Sequence, residues 1–193
     1  MLKRFLLAIA LLTLLASSGF ASTYQLDPVH SQVEFTVEHL MFFKVSGFFT
    51  DMAGTIEADP ATKTLKSVVA TIQTASIDTR IKKRDDHLRS PDFFDVAKFP
   101  ELRFVSKKIT GNDQNISVEG ELTMHGITKD VILTGVFLGE NTDPWDNRRA
   151  GFSAKGKVNR KDFGLTWNKV LETGGVTVGD EVEISLQVQG IKQ

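Results

Sequence analysis

The chain has 193 residues, enough for one domain with a complete hydrophobic core, and 41% of its residues are hydrophobic. It contains no cysteine, which excludes disulfides, thiolate metal sites and cysteine nucleophiles. Its 23 basic residues almost balance its 24 acidic ones, so the charge does not favour nucleic acid as a partner.

Residues 1–21 have the pattern of a secretory signal peptide. Lys3 and Arg4 form a basic start, residues 5–15 form an apolar run, and small residues that end at Ala21 indicate a cleavage point. The apolar run is shorter than a membrane-spanning helix requires, so an uncleaved anchor is the less favoured alternative. We expect cleavage and export across a membrane. The remaining chain then has 21 basic and 24 acidic residues, a net charge of −3.

Alternating hydrophobic and polar residues predict eight β-strands in the mature domain, residues 22–193. The predicted strands span residues 33–41, 48–56, 68–72, 102–110, 116–124, 129–139, 150–158 and 182–188. Sequential antiparallel strands with one apolar face close most simply into an up-and-down barrel, and a two-sheet sandwich is the alternative. We predict an all-β, eight-stranded antiparallel barrel with its apolar faces inward. About eight strands leave an interior that side chains just fill or that holds one small ligand.

The alternation breaks between the third and fourth predicted strands, at residues 76–104. Asp78 is a predicted N-cap for a first helical turn, and Ser90 followed by Pro91 predicts a second helix start. The three phenylalanines that follow these signals need a dry surface. We therefore predict a short helical insert that covers one end of the barrel as a flap.

No arrangement of residues in the sequence indicates catalysis or metal binding. The four histidines lack the spacing of metal ligands, and the chain has neither a nucleophile-elbow motif nor a phosphate-binding glycine loop. We therefore expect neither an enzyme nor a cofactor.

Basic residues cluster in the predicted insert, where they have two interpretations. The favoured one is a solvated helix face that nearby aspartates neutralise, and the other is a rim that meets a phosphate group or an anionic membrane surface. The cluster consists of Arg80, Lys82, Lys83, Arg84 and Arg89.

Phenylalanine occurs 14 times and tyrosine once, so most aromatic rings in the chain lack a hydrogen-bonding group. A phenylalanine-rich core would explain this bias. A cavity lined by such rings would instead suit a long hydrocarbon, which it would recognise by shape and burial.

Several motifs follow one another in order along the mature chain. They are HL at 39–40, SIDT at 76–79, RDDHLRSPDFFD at 84–95, KFP at 98–100, GELT at 120–123, GITK at 126–129, DPW at 143–145, RAGF at 149–152 and NRKDFG at 159–164. In these motifs and their spacing, the chain from about Tyr24 to its end resembles the YceI family of bacterial secreted proteins.

The resemblance implies a lipocalin-like barrel whose tunnel holds a polyisoprenoid or a similar long-chain amphiphile. It also implies a periplasmic or secreted protein without catalytic activity. We expect the lipid to be a quinone or prenyl phosphate, held for transport, storage or stress response. Contact with inner-membrane proteins or the membrane surface, and a homodimer through exposed aromatic doublets, are further expectations.

The residues expected to line the tunnel come from most of the predicted strands and from the insert. They are Phe35, Val37, His39, Met41, Phe48, Phe93, Phe94, Phe99, Phe104, Leu122, Met124, Phe152 and Trp167. His39 is a candidate tether for a polar group of the ligand. Two other functions stay open: an enzyme that acts on the lipid head group, and an interaction module with a filled core that serves a membrane redox partner.

Overall fold

The structure is a computed structural model that describes residues 21–172 and 174–193. The body of the predicted signal peptide lies outside the described residues. The strands are β1 Ser22–Leu26, β2 Gln32–His39, β3 Phe43–Phe49, β4 Met52–Asp59, β5 Thr64–Gln73, β6 Ile77–Asp78, β7 Glu101–Asn112, β8 Asn115–Met124, β9 Ile127–Thr142, β10 Arg148–Asn159 and β11 Val178–Lys192. Helix α1 spans Lys82–Arg89, and 3-10 turns lie at Pro28–His30, Thr74–Ser76 and Arg160–Phe163.

The strands form one closed antiparallel barrel. The order around it is β1-β4-β5-β7-β8-β9-β10-β11, and pairing between β1 and β11 closes the ring. Strand β2 continues β1 along β11, β3 continues β4 along β2, and β6 continues β5 along β3. Short breaks therefore divide three of the eight strand paths in two. The predicted eight-stranded barrel is confirmed, and the sandwich alternative is wrong.

The break between β3 and β4 changes which phenylalanine faces the interior. Val33 pairs with Phe49, whereas Phe48 pairs with Glu34 on the outer face. Thr50 and Asp51 leave the strand ladder, and the inward face then resumes at Met52, which is buried. Phe48, which was expected in the lining, therefore faces outward, because that expectation assumed an unbroken strand over residues 48–56.

The insert contains one helix, although the sequence predicted two helix starts. Asp78 does not cap it; its carboxylate accepts a hydrogen bond from Arg80 N at 2.6 Å, and Ile81 precedes the first helical turn. Ser90 ends α1 instead of starting a second helix, since its extended backbone (φ −73°, ψ 170°) stops the helix and its hydroxyl donates to His87 O at 2.7 Å. Residues 90–99 continue as turns.

A buried carboxylate fixes the start of the insert against the barrel. Asp85 in α1 accepts hydrogen bonds from Thr79 N at 2.8 Å and Thr79 Oγ1 at 2.5 Å. Arg84 Nε donates to the same threonine hydroxyl at 2.7 Å, so three neighbouring groups satisfy one another away from water. This network holds α1 close to β6.

At the end of the barrel opposite the insert, an arginine bonded to two aspartates links two connections between strands. Arg149 at the start of β10 donates to Asp27 at 2.5 Å and to Asp143 at 2.7 Å, which connects the β1–β2 and β9–β10 connections. The bond from Arg149 holds the pKa of Asp143 well below its ordinary value. Burial raises the pKa of Asp27, but hydrogen bonds from Arg149 and His30 outweigh this effect and lower it.

We predict that Arg149→Met lowers the free energy of unfolding at neutral pH and flattens its dependence on acid. Because the folded-state pKa values of Asp27 and Asp143 are lowered, their contribution is complete above the ordinary carboxyl pKa of 3.8 and is lost as pH falls toward the folded values. Urea unfolding from about pH 7 down to about pH 3 measures both effects. The exposed Lys155→Met is the control, and parallel pH curves for wild type and Arg149→Met would contradict the prediction.

Candidate functional site

The barrel encloses a cavity of about 270 Å³ whose lining is almost entirely hydrophobic. Glu34 and Arg160 are the two charged residues along it. Glu34 alternates with the inward residues of β2 and pairs with Phe48 and Ser185 on the outer face. The cavity wall is therefore apolar and offers few polar partners to a molecule inside it.

Facing residues on neighbouring strands build the cavity wall. On β2 and β11, Val33 pairs with Leu186, Phe35 with Ile184, and Val37 with Val182. Directly opposite residues of an antiparallel pair point to the same face, so this register turns all six side chains inward. The other lining side chains are Leu26, Phe49, Met52, Ile56, Leu65, Val68, Val69, Ala70, Ile72, Leu88, Phe93, Phe94, Leu102, Phe104, Val118, Leu122, Met124, Val131, Leu133, Phe152, Ala154, Val158, Leu165, Val178 and Val188.

The insert covers one end of the cavity. Phe94 stands edge-on to Phe49 of β3 with ring centroids 5.8 Å apart, and Phe93 packs against Trp167 at 5.1 Å. The His87 ring lies 5.0 Å from both Phe93 and Trp167. The predicted flap is thus closed by aromatic contacts between the insert and the segment that follows β10.

A buried arginine holds that segment in place. The Arg160 guanidinium donates to the carbonyl oxygens of Leu165 at 2.5 Å, Trp167 at 2.9 Å and Gly179 at 2.8 Å. It also reaches Asp180 at 3.4 Å, and burial lowers the pKa of Arg160 below its ordinary value. Since these protein oxygens occupy its donors, Arg160 fixes the connection between β10 and β11 and does not present a charge to the cavity.

Eight of the thirteen residues expected in the lining do line the cavity. They are Phe35, Val37, Phe93, Phe94, Phe104, Leu122, Met124 and Phe152. Whether these side chains contact a bound lipid stays a prediction.

Two of the five expected lining residues that do not line the cavity lie on the outside of the barrel. Phe48 points away from the interior, and the Arg80 guanidinium lies 5.6 Å from its ring centroid. Phe99 packs against His125 at 4.5 Å and covers Gly126 in the turn between β8 and β9. Phe99 sits beyond the flap turns, where the chain has already turned back toward β7.

The remaining three expected lining residues lie beyond the flap end of the cavity. His39 is the last residue of β2, pairs with Val178 and is absent from the cavity lining, so the tether hypothesis gains no geometric support. Met41 is exposed at the apex of the β2–β3 hairpin. Trp167 stands behind Phe93 and supports the lining from outside.

The expected lining was incomplete because it favoured aromatic residues. Ile184 and Leu186 were predicted to face inward but were not assigned to the site. Leu88 could have been predicted as a lining residue from the sequence. It is the one hydrophobic residue of α1 and therefore marks the face of the helix that meets the barrel.

Neither a metal cluster nor a spanning helix occurs in the described part of the chain. Within residues 21–172 and 174–193, no three histidine, aspartate or glutamate side chains converge as a metal site would require. Over the same residues, no helix has the length and apolar character to cross a membrane.

Known proteins are similar to this chain over most of its length. The YceI-like domain family matches residues 24–190. Protein YceI from Salmonella newport strain SL254 is 37% identical over 196 aligned residues, which cover 100% of both chains. The YceI protein of Campylobacter jejuni has a TM-score of 0.70 and 30% identity, covering 81% of this chain and 90% of that one.

A more distant structure has the same fold. It is a polyisoprenoid binding domain from Saccharophagus degradans, implicated in plant cell wall breakdown, with a TM-score of 0.64. It is 16% identical, and the match covers 88% of this chain and 98% of that one. At this identity the likeness concerns the fold.

We predict that Arg160→Met loosens the segment between β10 and β11 and lowers the free energy of unfolding by about 3 kcal/mol, because it leaves buried carbonyl groups without donors. Hydrogen exchange should increase at the amides of residues 165–179. The neighbouring Lys161→Met removes only an exposed ion pair to Asp180 and should cost less than about 1 kcal/mol. Equal effects of the two substitutions would refute the assigned role.

Proposed function

Because this chain belongs to the YceI-like domain family, we propose that its cavity binds the hydrocarbon chain of an isoprenoid lipid, of the polyprenyl or quinone type. The observation that carries the proposal is a cavity enclosed by hydrophobic side chains. Burial of each CH₂ group contributes roughly 0.8 kcal/mol, so one five-carbon isoprene unit contributes roughly 4 kcal/mol. A long tail therefore binds tightly without polar contacts.

The chemistry of the lining favours a tail over a polar small molecule. A hydroxyl or amide that entered this cavity would lose its hydrogen bonds to water and find few replacements. The head group of the lipid therefore stays outside the apolar lining, at the end bordered by α1 and the connection between β10 and β11. The polyisoprenoid binding domain from Saccharophagus degradans supports the same ligand class through its shared fold.

Binding without catalysis accounts for the site better than the two other functions considered. An enzyme that acts on the head group requires converging polar groups beside it, and at that end of the cavity the guanidinium of Arg160 is already bonded to backbone carbonyls. An interaction module requires no internal space, whereas this barrel keeps about 270 Å³ open. We propose a periplasmic protein that shields an isoprenoid chain from water during transport or storage.

The chain provides its own reporter for a binding test. Its two tryptophans are Trp145, exposed at the far end, and Trp167, which backs the lining residue Phe93 at 5.1 Å. In a Trp145→Phe background, a ubiquinone with a short isoprenoid tail should quench Trp167 fluorescence in a saturable manner. The same quinone without its tail is the matched control and should not bind. Equal quenching by both compounds, or no saturation with either, would rule out tail recognition.

We predict that Ala154→Phe weakens binding of the tailed quinone at least roughly tenfold, because the added ring occupies volume that the tail needs. Ala154 lines the cavity between Gly135 and Leu186, and its neighbour Lys155 is exposed on the outer face. Lys155→Phe is therefore the control, with the same ring on the outside of the barrel. Thermal unfolding confirms that both variants fold, and unchanged affinity of a folded Ala154→Phe would contradict the assigned cavity.

A further inference from the structure

The apex of the β2–β3 hairpin, residues 40–43, exposes large hydrophobic side chains to solvent. The exposed fraction is 56% for Met41, 80% for Phe42 and 59% for Phe43. Isolated exposed hydrophobic residues are common on protein surfaces, but several adjacent ones at a protruding turn mark an interaction site.

The backbone of this apex is unfavourable for the residues that occupy it. Leu40 and Met41 have φ values of 54° and 67°, and Phe42 N donates to His39 O at 3.4 Å. A hairpin turn with two consecutive left-handed residues usually contains asparagine and glycine, since a bulky side chain is strained there. Burial compensates little of this cost at Met41, which is 56% exposed, so the hydrophobic side chains of the apex point to a contact outside the chain.

The apex adjoins the flap end of the cavity. Leu40 N donates to Thr177 O at 2.9 Å, and the next residue, Val178, pairs with His39 and lines the cavity. Val170, in the same connection between β10 and β11, is 83% exposed. One continuous surface therefore joins the exposed apex to the end of the cavity where a lipid head group would lie.

The charge beside this surface complements an anionic membrane. Thr79 packs over Gly47 of β3, which places the start of the insert alongside the hairpin. Residues 78–89 contain five basic and three acidic side chains, an excess of two positive charges on a mature chain of net charge −3. The exposed basic residues Arg80, Lys82 and Lys83 lie in this segment.

We propose that residues 41–43 insert into the interfacial layer of a phospholipid bilayer, so that the flap end of the cavity faces the membrane. A hairpin apex is convex and fits a deformable lipid interface, whereas a second copy of the chain would have to provide a complementary concavity. The inference rests on the proposed function, because a lipid cargo must leave and enter a bilayer and this geometry keeps its tail out of water.

Vesicle flotation with the mature protein tests the proposal. Vesicles of phosphatidylethanolamine and phosphatidylglycerol at roughly three to one carry the protein upward, and Phe42→Ser lowers its partition coefficient roughly tenfold. Phe42 is 80% exposed, so its loss should leave the fold intact. Trp145→Ser removes a side chain that is 78% exposed at the opposite end and should change partitioning less than about twofold. Phe42→Trp should retain binding, because tryptophan favours the membrane interface.

Three results would overturn the inference: no flotation of the wild type, equal flotation of Phe42→Ser, or a loss in Trp145→Ser as large as that in Phe42→Ser. A Phe42-dependent dimer in sedimentation velocity without flotation would assign the apex to a second copy instead. The tailed-quinone titration, repeated without vesicles on Phe42→Ser in the Trp145→Phe background, separates the two proposals. Quinone binding without Phe42-dependent flotation refutes the membrane contact alone, and flotation without quinone binding refutes the cavity assignment alone.

Discussion

The site depends on how the barrel closes. Pairing between β1 and β11 completes a ring of eight strand paths, which fixes the interior at a width that side chains can almost fill. The register between β2 and β11 then directs one hydrophobic set inward, from Val33 opposite Leu186 to Val37 opposite Val182. A slip of one residue would direct the polar set inward, so the register that stabilises the fold also makes the cavity hydrophobic.

Two arginines that donate hydrogen bonds to protein oxygens hold the connections at the two ends of the barrel. Arg149 lies between Asp27 and Asp143 at the far end, and Arg160 binds backbone carbonyls beside the flap. Each arginine fixes a connecting segment that has no strand partner to hold it. Because their charges are bonded to protein oxygens, these buried arginines stabilise the fold, and the hydrophobic lining of the cavity stays uninterrupted.

Much of the fold followed from the sequence, because the predicted strands show the alternation of a half-buried strand. The errors lie where the backbone leaves that pattern. Phe48 and Phe49 are indistinguishable by composition, and only the break at Thr50 and Asp51 shows which of them faces inward. Likewise, Ser90 before Pro91 carries the signals of a helix start, yet the existing helix α1 uses it as an end. Cavity residues such as Ile184 were missed because chemistry alone does not separate a lining residue from a packed one.

The apolar lining limits the routes by which a lipid tail could enter the cavity. Under the proposed function, the interior stabilises a lipid tail but cannot help that tail cross water, and the exposure of many CH₂ groups during transfer would cost most of what binding contributes. The proposed function therefore implies that lipid exchange is fastest where the end of the cavity directly meets a hydrocarbon phase. The flap, closed by Phe93 against Trp167 and by Phe94 against Phe49, lies at that end, as does the strained apex with Met41 and Phe42. These contacts join aromatic side chains and are separate from the backbone hydrogen bonds of the strand ladder, so the proposed function requires only the flap to open while the barrel remains intact.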